Sequence, residues 1–256
     1  MHTIAMVSRK GGTGKSTIAV GLAVTAMEAG HSVCVIEADP LGTVLNWRRR
    51  RIAAGPAVET IHDGYELFHR VQELARRGVT LTIVDTAGGW SEPSRVAMAA
   101  ADFCLIPARP SPADIEATAP TLAAVRESGK PFAFVLNQVQ PRSARLNAAG
   151  CSLGDRAVAL KIANVLALPA IVMRNDQQDA LGMGLGITEY APCGKSAKEI
   201  RELWQWLWDR LSSTSPEAGA PDGTSAILPV APTDTQPRLC VAVQPAEAPG
   251  YVTRLT

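Results

Sequence analysis

The stretch Arg9-Lys10-Gly11-Gly12-Thr13-Gly14-Lys15-Ser16-Thr17 packs two lysines, three glycines and three hydroxyls into one short segment. Residues of these types at this spacing suit a phosphate. Glycines let backbone N–H groups close around phosphate oxygens, and a helix beginning at Lys15 adds its partial positive charge. Lys15 then reaches the β- and γ-phosphates of a nucleotide, and the Ser16 hydroxyl ligates magnesium. Such a loop needs a strand before it and a helix after it. Ile4-Ala5-Met6-Val7 reads as a buried parallel strand, and Ile18-Ala19-Val20-Gly21-Leu22-Ala23-Val24 as the helix.

The common phosphate-loop pattern, G-x-x-x-x-G-K-S/T, asks for glycine where this chain has Arg9, and Lys10 precedes the glycine pair instead. K-G-G-x-G-K-S/T is the deviant Walker A motif, and on it the chain resembles the ParA/MinD family of ATPases. The resemblance implies ATP and Mg2+ as ligands, with Lys10, Gly11, Gly12, Thr13, Gly14, Lys15, Ser16 and Thr17 around the nucleotide. It also implies a homodimer with ATP sandwiched between subunits, in which Lys10 acts in trans on the partner's phosphate. Two other readings compete: a flexible glycine turn with solvated lysines, and a dinucleotide fingerprint with Glu37 on the ribose. The fingerprint needs a third small residue where Thr17 stands.

Further chemistry sits where apolar runs end, because carboxyl ends of parallel strands line the ligand crevice. Ser32-Val33-Cys34-Val35-Ile36 leads to Glu37-Ala38-Asp39-Pro40-Leu41-Gly42. Asp39 matches the aspartate of the family's second motif, which implies a catalytic role in positioning the attacking water. Leu41 replaces the usual glutamine there, and a turn-forming Asp-Pro pair is the plainer alternative. Val79-Thr80-Leu81-Thr82-Ile83-Val84 delivers Asp85-Thr86-Ala87-Gly88-Gly89, a Walker B arrangement in which Asp85 holds magnesium through water. Phe132-Ala133-Phe134-Val135-Leu136 ends in Asn137, whose carboxamide can pair with adenine, or simply form a turn. Ala108-Arg109-Pro110-Ser111-Pro112-Ala113-Asp114 is similar to a segment of small partition ATPases that lies near the dimer interface. Helix capping by Ser111 or Asp114 also explains it, so it carries no catalytic assignment.

The elements that must position these residues alternate. Strands are expected near 2–8, 32–37, 57–61, 79–85, 102–107, 131–137 and 167–172. Helices are expected near 15–29, 41–53, 64–77, 91–100, 112–128, 154–165 and 196–211. This predicts an α/β fold, a doubly wound, mostly parallel sheet with helices on both faces. Residues 1–211 form the ATPase domain. Residues 212–256 hold seven of the eighteen prolines with few large apolar residues, which predicts a disordered tail.

The net charge of +1 gives no global field for nucleic acid or membrane, so any such contact is a local patch. The five cysteines show no C-x-x-C spacing, which argues against zinc, and dispersed thiols suit a reducing cytosol. The four histidines form no ligand spacing. No signal peptide and no bilayer-length apolar run are legible. Arg48-Arg49-Arg50-Arg51 points around a helix and reads as a solvated helix end, with phosphate-backbone contact as the alternative. Arg142, Arg145, Lys195, Lys198 and Arg201 are scattered cations, the last three on a solvated helix face. Ile200, Leu203, Trp204, Leu207, Trp208 and Leu211 form an apolar stripe on the same helix, read as core.

The resemblance is greatest to short ParA-type partition ATPases, which start at the phosphate loop without a preceding helix-turn-helix domain. It implies a cytoplasmic switch with weak intrinsic ATPase activity. Its ATP dimer binds non-specific DNA on the nucleoid and segregates plasmid or chromosomal DNA. A centromere-binding or adaptor protein stimulates its hydrolysis. The chain's end makes no basic amphipathic helix, so a MinD-type membrane anchor is not expected. Two alternatives stay open: positioning of a non-DNA cargo such as conjugation, chemoreceptor or division machinery, and a metabolic relative such as a cofactor-synthesis amidoligase.

Overall fold

A computed structural model describes residues 1–140 and 165–213. Six strands form one parallel sheet: β1 (His2–Met6), β2 (Val33–Glu37), β3 (Ala57–Thr60), β4 (Leu81–Asp85), β5 (Phe103–Ala108) and β6 (Phe132–Leu136). Their spatial order is β3-β2-β4-β1-β5-β6. The strand bearing the glycine loop is therefore central, paired with β4 in the register Met6↔Asp85 and with β5 in the register Met6↔Leu105.

Side chains of successive strand residues point to opposite faces, so continuously apolar strands feed two cores. Ile4, Met6, Val35, Ile83 and Leu105 pack beneath α1 (Lys15–Glu28) and the C-terminal helix; Ala5, Val7, Ile36, Val84 and Ile106 pack against the other layer, α3 (Gly64–Arg76) and α4 (Glu92–Ala100). The carboxyl ends of all six strands thus emerge at one edge between two helix layers. Among the described residues no helix is long and apolar enough to cross a membrane.

Several expectations need correction. The single helix expected over 112–128 is two, α5 (Pro112–Glu116) and α6 (Ala119–Glu127), with Pro120 in the first turn of the second. Proline has no N–H to continue the preceding ladder. The strand expected near 167–172 follows β6 through Ala167 N–H to Phe134 O and Ile171 N–H to Leu136 O, both 2.8 Å, but forms only isolated bridges. Pro169 lacks a donor there, which breaks the ladder. The polar helix α7 (Asn175–Gly182) and the short α8 (Ile187–Tyr190) were not foreseen. Helix α9 (Lys195–Ser213) buries Ile200, Leu203, Trp204, Leu207 and Leu211 of the expected stripe, and Trp208 packs partly buried against the same core. The expected helix at 154–165, Arg142, Arg145 and the tail from residue 214 onward lie outside the described residues. Cys34 and Cys104 are free and buried, with burial pushing each thiol up to about 12.

The arginine run is not a uniformly solvated end. It closes α2 (Thr43–Arg50), and Arg51 is 6% exposed. Its guanidinium donates to both Glu189 oxygens at 2.6 and 2.7 Å and to Gly184 O at 3.1 Å, and it lies over the buried Trp47 ring. Glu189 also accepts from Gly186 N–H at 2.7 Å. Burial works against the Glu189 charge, but Arg51 and this N–H hold its carboxyl below the usual range. The pair ties α2 to the α7–α8 segment. Removing one partner of a largely buried pair strands the other charge. Arg51→Met is therefore expected to lower unfolding free energy by about 3 kcal/mol in urea denaturation, with the exposed Arg49→Met leaving the midpoint unchanged.

Candidate nucleotide site

The glycine loop runs from the end of β1 into α1, with Gly12 at φ 71° and Gly14 at φ 93°, both left-handed. Glycine is required at Gly14 twice over, because a Cβ there would lie 2.1 Å from the Asn137 amide nitrogen. The loop carbonyls are engaged from several sides. Gly12 O accepts from Arg109 Nη2 at 2.6 Å and Gln138 Nε2 at 3.0 Å; Thr13 O accepts from Asn137 Nδ2 at 2.7 Å; Ser8 O accepts from Lys15 Nζ at 3.4 Å. With its carbonyls so occupied, the loop has its N–H groups left to offer an anion.

Across the crevice, Asp85 ends β4 with no solvent exposure, and neither carboxylate oxygen has a hydrogen-bond partner. Burial pushes its carboxyl up to about 7, against the pull of the Ser16 hydroxyl and the Lys15 ammonium. Lys15 is itself lowered by burial, with Asp85 and Asp39 opposing. An orphaned buried carboxylate facing a serine at the helix start fits a hydrated divalent cation. Among the described residues there is no cluster of three or more acidic, histidine or cysteine ligands, so a cation here would complete its shell with water and phosphate. That is how magnesium binds, and Ser16 and Asp85 stand where they would hold it.

The structure also brings Asp39 into this crevice, partly exposed, its Oδ1 accepting from Leu41 N–H at 2.9 Å in a tight turn. Glu37 has a different job. It is fully buried and accepts from Val44 N–H and Leu45 N–H at 3.0 and 2.6 Å, capping α2 where Gly42 offers no side chain. Both its oxygens are committed, which removes it as a ribose ligand. Asn137 is buried and spends one N–H on the loop, which leaves its second N–H and its carbonyl for a base. Thr86 donates to Met6 O at 2.7 Å, and a Cβ on Gly88 would stand 3.5 Å from the Gly11 backbone, so the segment after Asp85 rests on the glycine loop.

Lys10, expected to act across a dimer, pairs with Asp114 of its own chain. Ser111 caps α5 by accepting from Asp114 N–H at 3.1 Å, and its hydroxyl donates to the Asp114 carboxylate. Sequence reasoning missed Arg109, Gln138 and the role of Asp114. Gln138 is the one non-glycine residue with positive φ among those described, at 57°. Of the scattered cations, Arg201 is spent on Pro192 O and Thr188 O, and Lys198 faces Glu202 at 3.7 Å.

The family model described as VirC1 protein matches residues 1–150. A curated relative from Gloeobacter kilaueensis, "Maintenance of carboxysome distribution protein A", is 30% identical over 216 residues, covering 82% of this chain and 94% of the relative. Two solved structures share the fold. One is an Asp→Ala variant of Cyanothece McdA in complex with ATP (TM-score 0.66, 18% identity, 81% of this chain and 96% of that one). The other is the septum site-determining protein MinD from Pyrococcus horikoshii with Mg-ADP (TM-score 0.65, 18% identity, 84% and 99%).

The Asp85 environment makes a measurable demand. A carboxyl raised from 3.8 to about 7 holds its proton more tightly when folded, so its contribution to stability is full below pH 4. That contribution is lost as pH rises to 7 and stays lost above. Asp85→Asn removes this dependence. In ligand-free protein it is expected to raise unfolding free energy by about 2–4 kcal/mol at pH 8, the gain vanishing near pH 4, as read by urea denaturation at the two pH values.

Proposed function

The chain belongs to the VirC1 family, within the ParA/MinD ATPases, and from that premise we propose that it is an ATP-driven positioning switch. ATP lies along the glycine loop, its phosphates met by the loop N–H groups and Lys15, with Asn137 on the adenine side. Magnesium, held by Ser16 and through water by Asp85, supplies charge neutralisation at the phosphates. Asp39 orients the attacking water. Two subunits enclose two nucleotides, and Lys10 of each reaches the other's phosphate. Hydrolysis is slow until a partner protein completes the charge stabilisation.

One observation carries this reading: a buried carboxylate without a partner, Asp85, faces Lys15 and Ser16 across a glycine loop whose Gly12 and Thr13 carbonyls are engaged by side-chain donors. That arrangement leaves unmet the needs a metal–phosphate complex would meet. The dimer's track is non-specific DNA on the nucleoid, and the cargo is plasmid or chromosomal DNA brought by a centromere-binding or adaptor protein. A second reading, in which the cargo is a non-DNA assembly, is favoured by the name of the Gloeobacter relative, which concerns carboxysome distribution.

DNA binding by purified protein at fixed moderate salt, with ATP, ADP or no nucleotide, tests the proposal. Binding is expected with ATP alone. Lys15→Ala is expected to abolish it through lost nucleotide affinity, and Lys10→Ala through lost dimerisation. ATP-dependent dimers that ignore DNA would exclude the nucleoid track. No ATP-dependent dimer at all would overturn the switch itself.

A further inference from the structure

We propose that Glu37 is a positioning residue for hydrolysis: its buried carboxylate braces the loop Ala38–Gly42 and so fixes Asp39 against the attacking water. The inference rests on the proposed role of Asp39 in orienting that water. It starts from where the cap of α2 comes from. A helix start is ordinarily capped by the residue that precedes it, a local bond that holds the helix and nothing else. Here Gly42 stands at that position with no side chain, at φ 70°. The cap arrives instead from the end of β2, where Glu37 accepts from Val44 N–H at 3.0 Å and Leu45 N–H at 2.6 Å.

Burying a carboxylate is costly, and Glu37 has no solvent exposure. A side chain at the helix start would meet such N–H groups without that cost. What the remote carboxylate adds is a fixed span. It ties the strand end to the first turn of α2, and Asp39 lies on the loop between them. Three backbone bonds complete the frame. Glu37 O accepts from Ile61 N–H at 3.0 Å, Asp85 O from Ala38 N–H at 2.8 Å, and Asp39 O from Gly42 N–H at 3.1 Å. The loop is thereby tied to the backbone of Asp85, whose carboxylate faces Lys15 and Ser16. Asp39 spends Oδ1 on Leu41 N–H, which leaves Oδ2 for a water. Without the brace, the start of α2 is free to move from the strand end, and Asp39 moves with it. A misplacement of about 1 Å at a group that orients a reactant can cost ~100-fold in rate.

Single-turnover hydrolysis of Mg-ATP by the purified protein tests this, with the Kd of a non-hydrolysable ATP analogue measured in parallel. Glu37→Gln keeps one acceptor oxygen but sets an amide against the other N–H. It is expected to slow hydrolysis about thirtyfold and to leave the analogue's Kd within about twofold of wild type. Asp39→Asn is expected to slow hydrolysis at least as much. Adding Glu37→Gln to that variant is expected to slow it no further, because both act through one water. Arg51→Met, which loosens α2 from its other end, is expected to lower stability and leave the hydrolysis rate unchanged. Wild-type hydrolysis by Glu37→Gln overturns the brace, while slow Asp39→Asn upholds the role of Asp39. Additive slowing in the double variant, or equal slowing by Arg51→Met, also overturns it and leaves Glu37 a cap of α2. If wild type does not hydrolyse ATP, or Asp39→Asn hydrolyses like it, the reading of Asp39 fails and the brace with it. Should Glu37→Gln not fold, Glu37→Asp, one methylene too short to reach both N–H groups, replaces it with the same expectations.

Discussion

A loop that turns its N–H groups toward an anion must find donors for its carbonyls, and the site depends on how that demand is met. Gly12 and Gly14 adopt left-handed φ values, and Arg109, Gln138 and Asn137 supply side-chain donors from the ends of β5 and β6. At the buried Thr13 an unpaired carbonyl would cost about 1–3 kcal/mol, enough to favour a different loop conformation. The strand order follows from the same need. Only a central β1, with β5 and then β6 on one side and β4 on the other, puts donors and the Asp85 carboxylate around one loop. The two-sided core, filled by strands apolar on both faces, makes that order stable before any ligand arrives.

The second constraint is charge. Lys15, Asp85 and Glu37 share a crevice in which burial penalises each ion. Glu37 accepts two backbone N–H groups of α2, which oppose the burial that still pushes its carboxyl up. Asp85 has no such outlet, and its carboxyl is raised to about 7. Added positive charge would therefore favour its carboxylate form near neutral pH. The site is unfinished by itself. Stability is given up at one carboxylate to keep a binding position open, a trade expected of functional sites and hard to explain in a purely structural strand end.

Much of this was legible in the sequence because it is local. Strand–loop–helix order, the strand-end acids and the two glycines with positive φ are all set within a few residues of each other. The alternation of apolar runs located all six sheet strands. What escaped reading depends on distant partners. Glu37 could be weighed as a ribose acid because nothing nearby shows that α2 lacks a side-chain cap. Arg51 looked solvated because its carboxylate, Glu189, is 138 residues away. Helices α7 and α8 are short and polar, so they carry no periodic apolar signal. Lys10 was assigned from motif spacing, which says nothing of the acid it meets in its own chain.

The two sides of β1 converge on one piece of backbone, and this makes the loop a junction as well as a cradle. From the β4 side, Thr86 is bonded to Met6 and Gly88 lies against Gly11, and beyond them the partly exposed Trp90 ring stands 5.9 Å from the Arg9 guanidinium. From the β5 side, Arg109 grips Gly12 O and Ser111 and Asp114 hold Lys10. A shift of the Asp85 backbone therefore bears on Gly11 and Arg9, and a shift of the β5–α5 connection bears on Gly12 and Lys10. Close-packed backbone transmits such displacements, because Gly88 and Gly11 have no side chains to absorb them. The residues at the outer ends of both routes, Trp90, Arg9 and Lys10, are the exposed ones. Events at a buried carboxylate thus have a short path to Trp90, Arg9 and Lys10.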